Sequence, residues 1–267
     1  MSEAALETLL RRDRVIVGTA LAILIVVAWL YLLHLASGMS DMAMPDMPTM
    51  PAMAMPAMHA WGWVEIGALV IMWVVMMVAM MMPAAAPMIL MFATIRRRRT
   101  AEGRPAVPTV IFVLGYLVVW TIYSGGAALA QAGLHAAALL SPAMAATSPL
   151  LAGGLLVAAG VFQWTPLKRA CLAACRSPLS FLMTSWREGR AGAFMMGLRH
   201  GLYCVGCCWA LMSLLFVAGV MNLLWVAAIA VAVLVEKVVP RGDVVGRLAG
   251  VVLTAAGVLL VARGVIG

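Results

Sequence analysis

The most distinctive chemistry in this chain is its sulfur: five cysteines and 23 methionines in 267 residues. The cysteines fall in two short stretches. Cys171 and Cys175 lie in Leu-Lys-Arg-Ala-Cys-Leu-Ala-Ala-Cys-Arg, a spacing that puts both thiols on one side of a helix. Cys204, Cys207 and Cys208 lie in His-Gly-Leu-Tyr-Cys-Val-Gly-Cys-Cys-Trp. Met196, His200, Cys204 and then Cys207 or Cys208 follow at helical steps, so one stripe would carry thioether, imidazole and thiol. A thiolate in apolar surroundings needs a metal or a cation beside it. This donor set suits Cu(I), with zinc or iron as alternatives because ligand type constrains the metal loosely. Packing is the bland alternative, since free cysteine is a common small core residue. Three thiols within five residues, a histidine on their stripe and a second pair nearby weigh against it. Thiol redox chemistry is the remaining reading; Cys-Val-Gly-Cys has the formal spacing, but no thioredoxin-like strand–helix–strand pattern surrounds it.

The methionines form a second set. Met39, Met42, Met44, Met47, Met50, Met53, Met55 and Met58 recur every two or three positions, separated by Pro, Ala and Asp, and the run ends at His59. Proline at this density favours extended chain over an amphipathic helix. Thioether sulfur needs no deprotonation and is not lost to disulfides, so in an oxidising compartment it is a better Cu(I) donor than cysteine. Asp41 and Asp46 could add oxygen ligands, and His34 and His135 are expected at the same membrane face. A low-complexity linker lying on the membrane surface is the alternative. Met72, Met76 and Met80 then fall at i, i+4, i+8 on one helix face. They could form a sulfur ladder, although adaptable packing is the reading favoured for this segment alone. Pro83 and Pro87 are expected to kink or end that helix.

These donors must be held by apolar elements. The chain is 65% hydrophobic and 10% charged, where a water-soluble domain has about a quarter of its residues charged. Apolar segments occur at 15–36, 61–93, 108–130, 149–164, 191–219, 223–239 and 244–262. Several reach the roughly 20 residues that cross a hydrocarbon core as helix. None alternates with period two, which excludes a membrane β-barrel. The basic residues sort by segment. Arg11, Arg12 and Arg14 precede the first, Arg96, Arg97, Arg98, Arg99 and Arg104 follow the second, and Lys168, Arg169, Arg176, Arg187 and Arg190 lie between the fourth and fifth. Lys237, Arg241 and Arg247 flank the turn from sixth to seventh. With the N-terminus in the cytoplasm all of these are cytoplasmic, and Arg263 is the exception. The expectation is an all-α, polytopic transmembrane helix bundle of about seven spans with a cytoplasmic N-terminus. It divides into a cytoplasmic N-terminus (1–14), a first helix retained as a signal anchor (15–36), an extracytoplasmic Met/Pro-rich loop (37–60) and a multi-helix metal-binding domain (61–267). The net charge of +8 is then a topology signal; nucleic acid is not an expected partner, and the lipid bilayer is.

Adjacent Glu236 and Lys237, at the inner end of the sixth segment, are expected to snorkel or pair locally. Glu65 reads as a helix N-terminal charge. No phosphate-cradling glycine loop, HExxH motif or Ser/His/Asp set is present, and no catalytic residue is assigned.

Four stretches resemble a known family: Met80-Met-Met-Pro-Ala-Ala-Ala-Pro-Met, Phe162-Gln-Trp-Thr-Pro-Leu-Lys-Arg-Ala-Cys-Leu-Ala-Ala-Cys-Arg-Ser-Pro-Leu, Gly197-Leu-Arg-His-Gly-Leu-Tyr-Cys-Val-Gly-Cys-Cys-Trp and Glu236-Lys-Val-Val-Pro-Arg-Gly. They are similar to the predicted metal-binding integral membrane proteins of bacteria, a family of unknown function labelled copper chaperone-like. The likeness covers roughly the C-terminal three-quarters and places Cys171, Cys175, His200, Cys204, Cys207 and Cys208 within family motifs. It implies a multi-pass protein of the bacterial inner (cytoplasmic) membrane. The combined expectation is a Cu(I)-handling protein that captures metal on the outer Met/His loop and holds it at the inner Cys/His site. The metal would pass by ligand exchange to a copper chaperone or copper enzyme, for delivery or tolerance. The alternatives are a thiol or copper oxidoreductase subunit, and an assembly factor whose Cys and Met residues only pack.

Overall fold

The computed structural model describes residues 3–42, 62–105, 107–141 and 144–266. Among them every regular element is helical: α1 (Glu3–Met42), α2 (Trp63–Ala101), α3 (Thr109–Ala136), α4 (Pro149–Phe162), α5 (Pro166–Arg176), α6 (Pro178–Ser185), α7 (Gly189–Ser213), α8 (Leu215–Ala218), α9 (Leu223–Val238) and α10 (Gly242–Ile266). The helix starts follow local chemistry. Ser148 and Thr165 each precede a proline, and their side chains accept the backbone N–H of Leu150 and Lys168 at the first turns of α4 and α5. Asn222 caps α9 by accepting from the Trp225 N–H. Proline at the first helical position has no N–H to leave unsatisfied, and the capping oxygen supplies what the next donors lack.

Five of the described helical stretches are long and apolar enough to cross a membrane, and α4 with α5, bent by 65° at their junction, would make a sixth. All seven apolar segments of the sequence fall on helices. The fourth and sixth correspond to α4 and α9, which at 14 and 16 residues are shorter than the roughly 20 that span a hydrocarbon core. The outward surfaces are aliphatic: Val15, Ile23 and Leu30 on α1 and Leu248, Val252 and Leu259 on α10 are exposed, consistent with lipid contact.

Of the two outcomes expected at Pro83 and Pro87, a kink or an end, the second does not occur: α2 continues through both to Ala101 and carries the four successive arginines on its last turns. An interior proline removes a backbone hydrogen bond and costs about 3 kcal/mol in an isolated helix. Here the surrounding turns are clamped by packing, because Met80, Met81, Met82, Ala85, Met88 and Ile89 are all buried.

The core pairs α2 with α3, α3 with α7, α4 with α10, and α5 with α7, while α1 lies on α2 through a narrow stripe of Leu21, Ala28 and Leu32. The α3–α7 contact is made backbone to backbone. A Cβ on Gly197 would collide with the Phe112 carbonyl oxygen, and one on Gly115 with the Phe194 carbonyl oxygen. This approach seats the cysteine-bearing α7 against the aromatic face of α3. Substituting Gly197→Ala should therefore destabilise the protein by about 1–3 kcal/mol through overpacking, seen as a lowered thermal midpoint in detergent. Gly18→Ala, on an α1 face with no atom within 4 Å of the new carbon, should leave the midpoint unchanged.

Candidate metal centre

The site is built where α5 closes over α7. The buried residues of α5 are Lys168, Cys171, Leu172 and Cys175, one stripe at i, i+3, i+4, i+7, and its other positions face outward. Both ends of that helix are tied to α9 and the turn after it. Lys168 Nζ donates to the Glu236 carboxylate at 2.7 and 3.0 Å and to Gln163 Oε1. Arg176 donates to the carbonyls of Val239 and Pro240. Lys168 and Glu236 are only 2% and 3% exposed, so each charge depends on the other for compensation. So held, α5 presses Cys171 onto α7 at Gly206, where a Cβ would stand 2.7 Å from the sulfur. One turn later Cys175 is buried on the same stripe, on the side where α5 packs on α7.

On α7, Cys204, Cys207 and Cys208 are almost wholly buried. The Cys207 and Cys208 thiols donate to the Cys204 carbonyl at 3.1 and 2.9 Å, and Cys208 Sγ lies 3.9 Å from Met81 Sδ of α2. Cys204 is the hub: Lys237 Nζ of α9 donates to its sulfur at 2.8 Å and the Tyr116 hydroxyl of α3 lies 3.2 Å away. Glu236 and Lys237 thus neither snorkel nor pair with each other. Successive helical residues point about 100° apart, so Glu236 turns to Lys168 while Lys237 turns to the thiols.

His200, one turn before Cys204, is 2% exposed and neither ring nitrogen has a hydrogen-bond partner. Its ring stacks on Tyr116 and Phe112, with centroids 5.5 and 6.1 Å away, and packs at a tilt on Phe181 at 5.9 Å. Aromatic walls fix the ring without satisfying either nitrogen. A buried imidazole in this condition is costly unless a ligand completes it. Met196, a further turn back, is also buried.

The structure thus buries Cys171 and Cys175 on the face of α5 that packs on α7, and Cys204, Cys207, Cys208, His200 and Met196 along α7, with His200 against α3 and α6 and Cys208 against α2. Met72, Met76 and Met80 are buried in the core, and the α2 sulfur seen against a thiol is that of Met81. Met44, Met47, Met50, Met53, Met55, Met58 and His59 lie outside the described residues, as do the side chains of Met39 and Met42. Lys237, Tyr116, Met81 and Gly206 were not picked out as site residues. Only the motif Cys-Val-Gly-Cys hinted at one of them, through a glycine that leaves room for a second sulfur.

Among the described residues no group of three or more His, Cys, Asp or Glu side chains is placed to hold a metal ion as the side chains stand. Cys207 and Cys208 are turned back to the Cys204 carbonyl, so metal binding would require these side chains to rotate. The donors fit a soft monovalent cation: thiols, a thioether and an imidazole without partners.

The buried Lys168–Glu236 pair sets a stability test. Glu236→Gln alone leaves an ammonium without its counter-charge and should cost about 3–5 kcal/mol, whereas Lys168→Met with Glu236→Leu should lie much closer to wild type. Thermal or denaturant unfolding in detergent measures both; equal losses in the single and double variants would contradict the pairing.

Comparison with curated proteins and with solved structures gives no match. The model of one family, described as a copper chaperone (PpoB2), matches residues 70–260. That stretch holds all five cysteines, His200 and Lys237, and it excludes α1 and the Met/Pro-rich run. Since the match spans well over half of the chain, this protein belongs to the copper chaperone family.

Proposed function

We propose that the chain is an integral membrane protein that holds Cu(I) at the α5–α7 junction and passes it on by ligand exchange. The observation that carries this reading is a set of buried thiols on two packed helices, Cys171 and Cys175 on α5 and Cys204, Cys207 and Cys208 on α7, with a buried lysine on Cys204 and a histidine with two unsatisfied nitrogens one turn away. Membership of a copper chaperone family supports copper as the cargo. The charges support the oxidation state. In a low-dielectric site the sum of fixed charges must lie near zero. Two thiolates, the Lys237 ammonium and Cu(I) sum to zero, whereas Zn(II) or Fe(II) in the same place requires a third thiolate.

The long apolar helices and their aliphatic outer faces support residence in a membrane. The clustering of basic residues supports a cytoplasmic N-terminus and about seven spans, with α4 and α9 as short ones. In this arrangement the cysteine centre lies towards the cytoplasmic side and residues 37–60 lie outside. Cu(I) captured by the outer thioethers and His59 would reach the thiols past the buried methionines of α2. Thioether-to-thiolate exchange runs downhill in affinity for Cu(I) and needs no other energy source. The protein partner in this reading is a copper chaperone or a copper enzyme.

Protein purified in detergent under reducing conditions and loaded with Cu(I) should carry about one copper per chain at the centre. The Cys204→Ser/Cys207→Ser/Cys208→Ser variant should lose that copper and, because Lys237 loses its sulfur partner, unfold at a lower temperature. Elemental analysis by mass spectrometry reads both. Copper retained in full by the variant would move the binding to the methionine run, and copper absent from both would return the thiols to packing or redox chemistry.

A further inference from the structure

At the start of α7 a narrow cleft opens between the end of α2 and the segment before α7. Its walls include Phe92, Arg96, Arg99, Trp186 and Arg187, and Met196 lies among the lining residues. The space is about 10 Å³, room for little more than one water. Arg99 closes it, lying 4.5 Å over the Trp186 ring and pairing with Glu188. That ion pair is partly exposed, with side chains 36% and 48% accessible. Such a pair contributes little and exchanges readily for another anion.

The cleft also lines up with the donors below it. Met196 lies at its inner wall, His200 is one turn deeper, and Cys204 one turn deeper again on the same stripe. Four residues of helix rise about 6 Å, so thioether, imidazole and thiol succeed one another at short steps from the cleft inward. His200, between the two sulfurs, has both nitrogens unpartnered. A column of soft donors beginning at an arginine-rimmed opening is more than a topology signal requires.

We propose that this cleft is the port at which a small anionic Cu(I)–thiolate complex docks, with Met196 and His200 relaying the metal between it and Cys204. The proposal rests on the copper reading and adds the docking partner. Cu(I) held by two thiolates carries one net negative charge, which complements Arg96, Arg99 and Arg187. The cleft is too small to admit the carrier, so the carrier stays at the rim, displaces Glu188 from Arg99, and only the metal crosses, outward to an empty carrier in delivery and inward from a loaded one in the reverse exchange. Inward, the step is ligand exchange: the Cu–S bonds to the carrier break as bonds to Met196, His200 and finally Cys204 form. Copper stays Cu(I), and the carrier leaves as free thiolate that takes protons from water.

The test uses the full chain in detergent and two donors, the Cu(I)–glutathione complex, an anion, and tetrakis(acetonitrile)copper(I), a cation. Loading rates are followed by stopped flow at several ionic strengths. In Arg96→Gln/Arg99→Gln, loading from the glutathione complex should slow about ten-fold and lose its salt dependence. The rate from the cationic acetonitrile complex should not fall, and should rise if anything, while the final copper per chain stays unchanged, which also shows that the variant is folded. Glu188→Gln, an exposed substitution that removes the competing carboxylate, should speed loading from the anionic donor about threefold. Equal rates from the glutathione complex in wild type and both variants, with normal final loading, would overturn the port and leave the copper centre standing. Wild-type protein that takes copper from neither donor would overturn the copper reading and the port together.

Discussion

Lys237 meets the Cys204 sulfur at 2.8 Å in a fully packed interior, and the structure around it is arranged to permit that contact. An ammonium and a thiolate are each costly in apolar surroundings and tolerable as a pair. A pair of this kind also leaves the thiol poised as a ligand, because the positive charge already stands where a metal would add its own. Tyr116 from α3 also approaches the Cys204 sulfur, while Met81 from α2 stands against the Cys208 sulfur one turn on, so the α7 thiols are contacted from α2, α3 and α9. No single helix could supply that set, which is why the α3–α7 approach at Gly115 and Gly197 matters to the chemistry as well as to the fold.

The second buried charge pair has a different task. Lys168 and Glu236 join the start of α5 to the end of α9, and Arg176 joins the other end of α5 to the following turn. Between these two anchors the short α5 holds Cys171 and Cys175 over Gly206 and the α7 thiols. Without the anchors, α5 would be an amphipathic segment free to lie elsewhere on the surface. Neighbouring residues on α9 thus serve separate ends: Glu236 places the helix that brings one sulfur, and Lys237 compensates another.

The all-helical class was legible because apolar runs and their lack of period-two alternation survive any tertiary context. The α7 stripe of Met196, His200 and Cys204 was legible for the same reason, since it lies on one helix and follows from the 3.6 period. Contacts between helices were not. Glu236 and Lys237 look like a local pair in the sequence, and only the packing of α9 shows them turned apart. Tyr116 and Met81 carry no local mark that separates them from other core aromatics and methionines. Met72, Met76 and Met80 form a tidy stripe on paper, yet α2 is enclosed on all sides at this level, so Met81, on a different face, reaches a thiol. Pro83 and Pro87 do not end α2, because a helix-breaking propensity worth a few kcal/mol yields to the burial of the turns around it. The methionines from Met44 to Met58 lie outside the described residues, and their role rests on chemistry alone.

The central claim is that sulfurs from α5 and α7, far apart in sequence, ligate one Cu(I). X-ray absorption at the copper edge, on Cu(I)-loaded wild type and on Cys175→Ser, tests it most directly. The account predicts a sulfur-dominated shell in wild type that loses one sulfur in the variant, with the nearest-neighbour distance shortened to match the lower coordination number. Identical spectra from the two proteins would contradict it, because copper would then be bound without the helix that the buried ion pair holds in place.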